Sequence, residues 1–277
     1  MTGTTFFDQI GLPLLNTHGY TVLKSLGVWQ CLYILSHPIS SYMSSTYKKI
    51  TPTKQAEWCS RLVSTAHALV VCYLSIPLLS DPVLSRDKVF AFTEGASHTA
   101  SVTIGYFLWD TIVSLYSVET AGPSFLFHAL ISLIAFLLTM QPFLMYFIGP
   151  FLLFEISTPL LNINWFCDKL NMTGSTLQLI NGILLILSFF CVRMIYGLYL
   201  NYDMFYSFYL QRDKISPYVI VIYGACNVSE TILNFFWFYK IIDAIRRRFI
   251  KRTPPSRKQD VVQHSNGMPD HQFEKEE

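Results

Sequence analysis

Charge is what this sequence holds least of. Asp, Glu, Lys and Arg together make up 14% of 277 residues, well under the quarter or so that keeps an ordinary domain in solution. Recognition motifs of soluble enzymes are missing as well. There is no Gly-rich phosphate loop, no G-x-S-x-G elbow and no H-E-x-x-H, which excludes the chemistries those motifs carry. The six cysteines (Cys31, Cys59, Cys72, Cys167, Cys191, Cys226) are scattered without a C-x-x-C pair, so neither a disulfide framework nor a metal site is expected. No cofactor and no nucleic-acid partner is expected either. Residues Met1 to Asn16 lack a basic n-region and an A-x-A-like cleavage site, so no removable signal peptide is expected.

What is present is apolar. Hydrophobic residues reach 52% and mean hydropathy is +0.37, which marks an integral membrane protein. Apolar windows of spanning length occur near Thr21 to Ile39, Leu62 to Leu79, Thr99 to Val118, Phe125 to Met140, Leu144 to Leu161, Leu177 to Leu200 and Tyr218 to Ile242. Continuous rather than alternating apolar runs argue against a β-barrel. The expected fold is therefore all-α, a polytopic transmembrane helical bundle of about seven helices. Three regions follow: residues 1–50 with the first helix, a transmembrane domain over 51–252, and a disordered cytosolic tail over 253–277. Lys48, Lys49 and Lys54 precede the second span, and a basic run from Arg246 to Lys258 follows the last. With an odd number of spans these share one side, so the C-terminus is expected in the cytosol and Met1 in the lumen.

A few polar residues interrupt the apolar runs. Glu155 sits in Phe-Leu-Leu-Phe-Glu-Ile-Ser-Thr-Pro, where an ionised side chain costs at least ~2.5 kcal/mol unless partnered. Pro159 withdraws the N–H that would close on the Glu155 carbonyl, concentrating polarity there. Counting about 1.5 Å per residue from the cytosolic end of each span, His67, Asp110, His128, Glu155 and Asn181 fall at one depth. Five such residues on five helices predict a polar chamber open to the cytosolic side. Arg61, with Trp58, is placed at its mouth; Arg193 and Glu230 lie deeper and are expected to pair with each other. The plain alternative is helix-to-helix hydrogen bonding, and for His67 alone a satisfied core histidine.

Four ordered motifs carry a family resemblance: Glu57-Trp-Cys-Ser-Arg-Leu-Val-Ser-Thr-Ala-His67, Gly105-Tyr-Phe-Leu-Trp-Asp110, Glu155-Ile-Ser-Thr-Pro-Leu-Leu-Asn-Ile-Asn-Trp-Phe166, and Ile180-Asn-Gly-Ile with Phe189-Phe-Cys-Val-Arg193. Over roughly Thr51 to Arg252 the chain resembles TLC-domain proteins, nearest to the multi-pass members that are not ceramide synthases. The resemblance implies a helical bundle in the endoplasmic reticulum and a role in lipid homeostasis or lipid sensing. In the synthases it implies N-acylation of sphingoid bases by acyl-CoA, for which a pair of adjacent histidines is essential. Here that pair reads Phe127-His128. Two readings follow. In the first, membrane lipids are the partners, and Arg61, His67, Asp110, His128, Glu155, Asn181 and Arg193 line a lipid-binding chamber. In the second, acyl-CoA is a partner and His128 is the general base, oriented by Asp110 or Glu155. A membrane trafficking receptor or transporter is a further alternative.

Overall fold

The computed structural model describes residues 4–250; the expected tail at 253–277 lies outside them. No strand occurs among the described residues. The bundle is built from α1 (Leu15–Met43), α2 (Pro52–Ser75, continued by a 3₁₀ turn at Ile76–Ser80), α3 (Glu94–Tyr116), α4 (Pro123–Leu138), α5 (Met145–Lys169), α6 (Thr176–Lys214) and α7 (Pro217–Ile250). Four of the described segments are both long and apolar enough to cross a membrane: Pro52–Ser80, Met145–Lys169, Thr176–Lys214 and Pro217–Arg247. That is fewer than the seven spans expected. The 16 residues of α4 are apolar but short. α1 and α3 are long enough at 29 and 23 residues but dilute their apolar residues with serine, threonine and histidine.

Local chemistry sets the boundaries. Pro52, Pro123 and Pro217 open α2, α4 and α7, where the missing N–H would be unpaired anyway. Thr93 and Ser175 accept backbone N–H groups to start α3 and α6, as N-caps do. α5 is a composite, winding as 3₁₀ over Met145–Phe147, α over Ile148–Leu152, 3₁₀ over Leu153–Ile156 and α over Ser157–Lys169. Pro150 and Pro159 are the residues that deny it a continuous α ladder.

Six helices close a ring in the order α2, α5, α6, α7, α4, α3, with α3 returning to α2. α1 lies outside, against α3 and α2, and runs parallel to α3. Gly105 allows that approach, because a Cβ there would stand 2.5 Å from the Val22 carbonyl and 2.6 Å from Ser25 Cβ. Ser25 Oγ donates to the Val102 carbonyl at 2.7 Å and accepts from Trp29 Nε1 at 2.9 Å. Small residues and interhelical hydrogen bonds do this work where lipid supplies no hydrophobic drive.

At the end of the ring opposite Lys48, Lys49 and Lys54, the segment between Arg86 and Thr93 crosses the helix ends as a strap. Lys88 Nζ donates to both carboxylate oxygens of Asp203 on α6 at 2.7 Å. Asp87 accepts from Gln211 at 3.0 Å and from the N–H groups of Val89 and Phe90. Val89 is fully buried among Phe143, Leu144, Phe147, Phe208 and Tyr223, which closes that end of the interior.

Candidate functional site

At mid-height inside the ring lies a network of ionisable side chains from four helices. Its hub is Arg193 on α6, whose side chain is 6% exposed. It sits in a π-helical stretch, Phe189–Tyr196, an irregularity found mostly at functional sites. Arg193 Nε donates to the Phe154 carbonyl and to Ser157 Oγ, both at 3.1 Å, and Nη1 donates to Asn234 Oδ1 at 3.1 Å. Glu155 approaches Nη2 at 3.7 Å and Glu230 approaches Nη1 at 4.0 Å. Glu155 also accepts from Thr158 Oγ1 at 2.8 Å. Glu230 in turn holds His128 through Nδ1 at 3.0 Å. An ionised carboxylate only accepts, so Nδ1 carries the proton and Nε2 of a neutral ring is left as the basic nitrogen. Asp110 lies within Coulombic reach of His128 and Glu155.

The network faces a cavity of about 90 Å³ lined by α3 to α7, room for several waters or a piece of a larger molecule. Its lining divides by height. His128, Glu155, Arg193 and Glu230 form the polar level, while Ala135, Phe136, Phe147 and Phe151 form an apolar floor toward the strap. On the other side of the polar level, Trp237 packs edge-on against His128 with centroids 5.2 Å apart and lies 6.0 Å from Phe125.

The structure thus brings together Asp110, His128, Glu155 and Arg193 from the expected chamber. It sets three others apart. His67 is at the same height but fully buried between other rings, stacked on Tyr106 at 3.6 Å with neither ring nitrogen bonded. Arg61 lies about 9 Å nearer the lysine-rich end. There it is held by Glu57 at 2.8 Å and Asn162 at 3.0 Å and lies over Trp165 at 4.7 Å. Asn162 also donates to Ser64 and Thr65, so this cluster ties α2 to α5. Asn181 donates to the Leu160 carbonyl at 2.8 Å and joins α6 to α5, about 18 Å along α6 from Arg193. Depth counting missed this because α6 is 39 residues long and its outer part packs chiefly on α5. The unpaired carbonyl expected at Glu155 is also displaced: the 3₁₀ turn at Leu153–Ile156 makes the Phe154 carbonyl the one used across helices. Glu230 and Arg193, expected as a separate pair, are instead central, each touching a second ionisable group. Asn234 and Thr231 are not among the expected site residues, and Asn227 stands out in the sequence only as part of a glycosylation pattern inside a span. With Glu230 they fall at i, i+3, i+4 and i+7 along α7, and that polar stripe was the signal for them.

These observations meet the comparisons with known proteins. A family model described as the TLC domain matches residues 57–243. The chain belongs to the TLC-domain family. The network residues of α4 to α7, His128, Glu155, Arg193 and Glu230, all fall within the matched segment. An uncharacterized TLC domain-containing protein of Schizosaccharomyces pombe is 36% identical over 88% of this chain and 84% of its own length. TLC domain-containing protein 4 of Homo sapiens is 31% identical over 76% of this chain and 81% of its own. Topoisomerase I damage affected protein 4 of Saccharomyces cerevisiae is 30% identical over 74% of this chain and 75% of its own. No solved structure matches this TLC-domain protein.

Proposed function

We propose that this TLC-domain protein binds the polar head of a membrane lipid in the chamber of its helical ring, and through that binding senses or adjusts membrane lipid composition. One observation carries the reading: a largely buried charge network borders a cavity among five helices whose far end, toward the strap, is mostly apolar. Buried charges cost several kcal/mol each to desolvate, and such residues inside membranes mark ligand or ion paths by default. Residence in the endoplasmic reticulum with a cytosolic C-terminus belongs to the same proposal. The orientation is supported by Lys48, Lys49 and Lys54 at the end of the bundle where the last turns of α7 carry Arg246 and Arg247, and the compartment by the family resemblance. The test is to purify the full chain, exchange it into mild detergent and extract what remains bound. A stoichiometric lipid in the wild type, depleted in Glu230→Gln and His128→Ala at equal folding, is the expected result. Absence of any lipid retained above the level of an unrelated membrane protein sinks the reading.

A second reading is favoured by one detail, the fixing of His128 Nδ1 on Glu230. That arrangement orients an imidazole as a general base, as acyl transfer from acyl-CoA to an amine requires. Phe127 stands against it, because its side chain is 47% exposed, on a face turned away from the chamber. Incubation with a long-chain base and acyl-CoAs is expected to yield no amide product above background. Turnover abolished by His128→Ala would promote the acyltransferase.

A further inference from the structure

One polar group on the cavity wall has no use in the network. Asn227 on α7 lines the cavity, and its Oδ1 is buried without a hydrogen-bond partner. Leaving a buried amide oxygen unpaired is unfavourable, so its place needs a reason. Neighbouring polar groups do not supply one. Asn201 Nδ2 donates to Thr231 Oγ1 at 2.7 Å, and Thr231 Oγ1 donates to the Asn227 backbone carbonyl at 2.8 Å. The side-chain amide is left over. It falls one helical turn from Glu230 on the same face, about 5 Å toward the strap. The sequence Asn227-Val-Ser matches a glycosylation pattern, but here it lies inside a helix with its side chain on an internal wall.

We infer that the chamber has a second recognition step at Asn227, which accepts a hydrogen bond from a neutral donor of the bound lipid, a hydroxyl or an amide N–H. This deepens the lipid-binding reading and rests on it. Neutrality follows from the surroundings. Glu230, the ionisable carboxylate nearest along α7, is already engaged by His128 and Arg193, and the wall beyond Asn227 holds Ala135, Phe147, Phe151 and the ring of Tyr223. A charge brought to that level would go unpaired in an apolar setting, at a cost no lipid headgroup recovers. A hydroxyl or amide loses only its water there and gains the Asn227 oxygen. The occupant is therefore a lipid whose head carries a polar end for the charged level, then a donor about one turn deeper, then an apolar chain toward the strap.

A matched pair of probes tests this: 1-monododecanoyl glycerol, whose head carries hydroxyl donors, and methyl dodecanoate, which has none. Binding is read by thermal unfolding of the full chain in detergent against probe concentration, since a ligand of the native state raises the midpoint. The wild type is expected to prefer the glycerol ester about tenfold, and Asn227→Leu is expected to reduce that preference to about twofold or less while still binding methyl dodecanoate. Asn227→Ser, a gentler change, serves if the leucine variant does not fold, and is expected to lower the preference partway. Equal binding of both probes by the wild type, or a preference unchanged by the Asn227 variants, overturns the second step and leaves the chamber standing. Failure of both probes to bind wild type and Glu230→Gln alike overturns the chamber and the step with it.

Discussion

Arg193 matters to this protein because it is the one permanent cation among Asp110, Glu155 and Glu230, and because its donors reach two other helices, α5 and α7. Replacing it by Met removes the partner of two carboxylates at once. Breaking a buried ion pair from one side costs about 3–5 kcal/mol. Arg193→Met is therefore expected to lower the thermal midpoint in detergent by several degrees and to be partly rescued by adding Glu155→Gln. A midpoint unchanged within error would mean that the carboxylates are protonated and the network is not ionic. At this scale the sequence was readable for each polar residue in an apolar run, since nothing else in a membrane protein is so conspicuous. It was not readable for partners. Glu155 was matched by depth with His128, Asn181 and His67, whereas π winding on α6 and 3₁₀ winding on α5 deliver Arg193 and Thr158 instead.

Among the elements, the parallel pair α1 and α3 depends on a single absent side chain. A Val at Gly105 would drive atoms into the Val22 carbonyl and Ser25, with backbone on one side unable to yield. Overpacking of this kind costs about 1–3 kcal/mol or more, so Gly105→Val is expected to detach α1, visible as cleavage between α1 and α2 at protease levels that spare the wild type. The strap depends on charge. Burial pushes the Asp87 carboxyl up, but the Phe90 N–H, the Gln211 amide and the Val89 N–H together hold it below the usual carboxylate range. Its contribution is thus present above about pH 4 and lost as pH falls through the lower folded value. Hydrogen exchange of residues 87–93 is expected to quicken below pH 4 in the wild type and to be fast already at pH 7 in Asp87→Asn. Helix positions were largely legible from apolar runs and prolines. The strap was not, because Arg86 and Lys88 beside Asp81 and Asp87 read as an ordinary charged loop until Asp203 and Gln211 are brought near by folding.

For the molecule as a whole, orientation is the property that sequence speaks to most directly and geometry least. Lysine and arginine asymmetry predicts that added protease digests a C-terminal epitope in sealed microsomes, while the segment around Lys88 stays protected. An epitope that survives until detergent is added would reverse the assignment. The bundle's overall closure, with the sixth helix reached in space beside the fourth through the seventh, has no local signature; it follows from which faces carry the network.

One dimension of the ring reaches beyond the protein. α4 spans only 16 residues, about 24 Å of rise, against a hydrocarbon core of about 30 Å. Lipids bordering that helix must shorten to meet it, and a locally thinned leaflet brings headgroups and water closer to His128 than the centre of a bilayer otherwise allows. The short helix makes membrane thickness itself a variable that the interior feels: under the lipid-binding proposal, chain length in the surrounding bilayer, and not only the identity of the lipid, sets how readily the interior is reached.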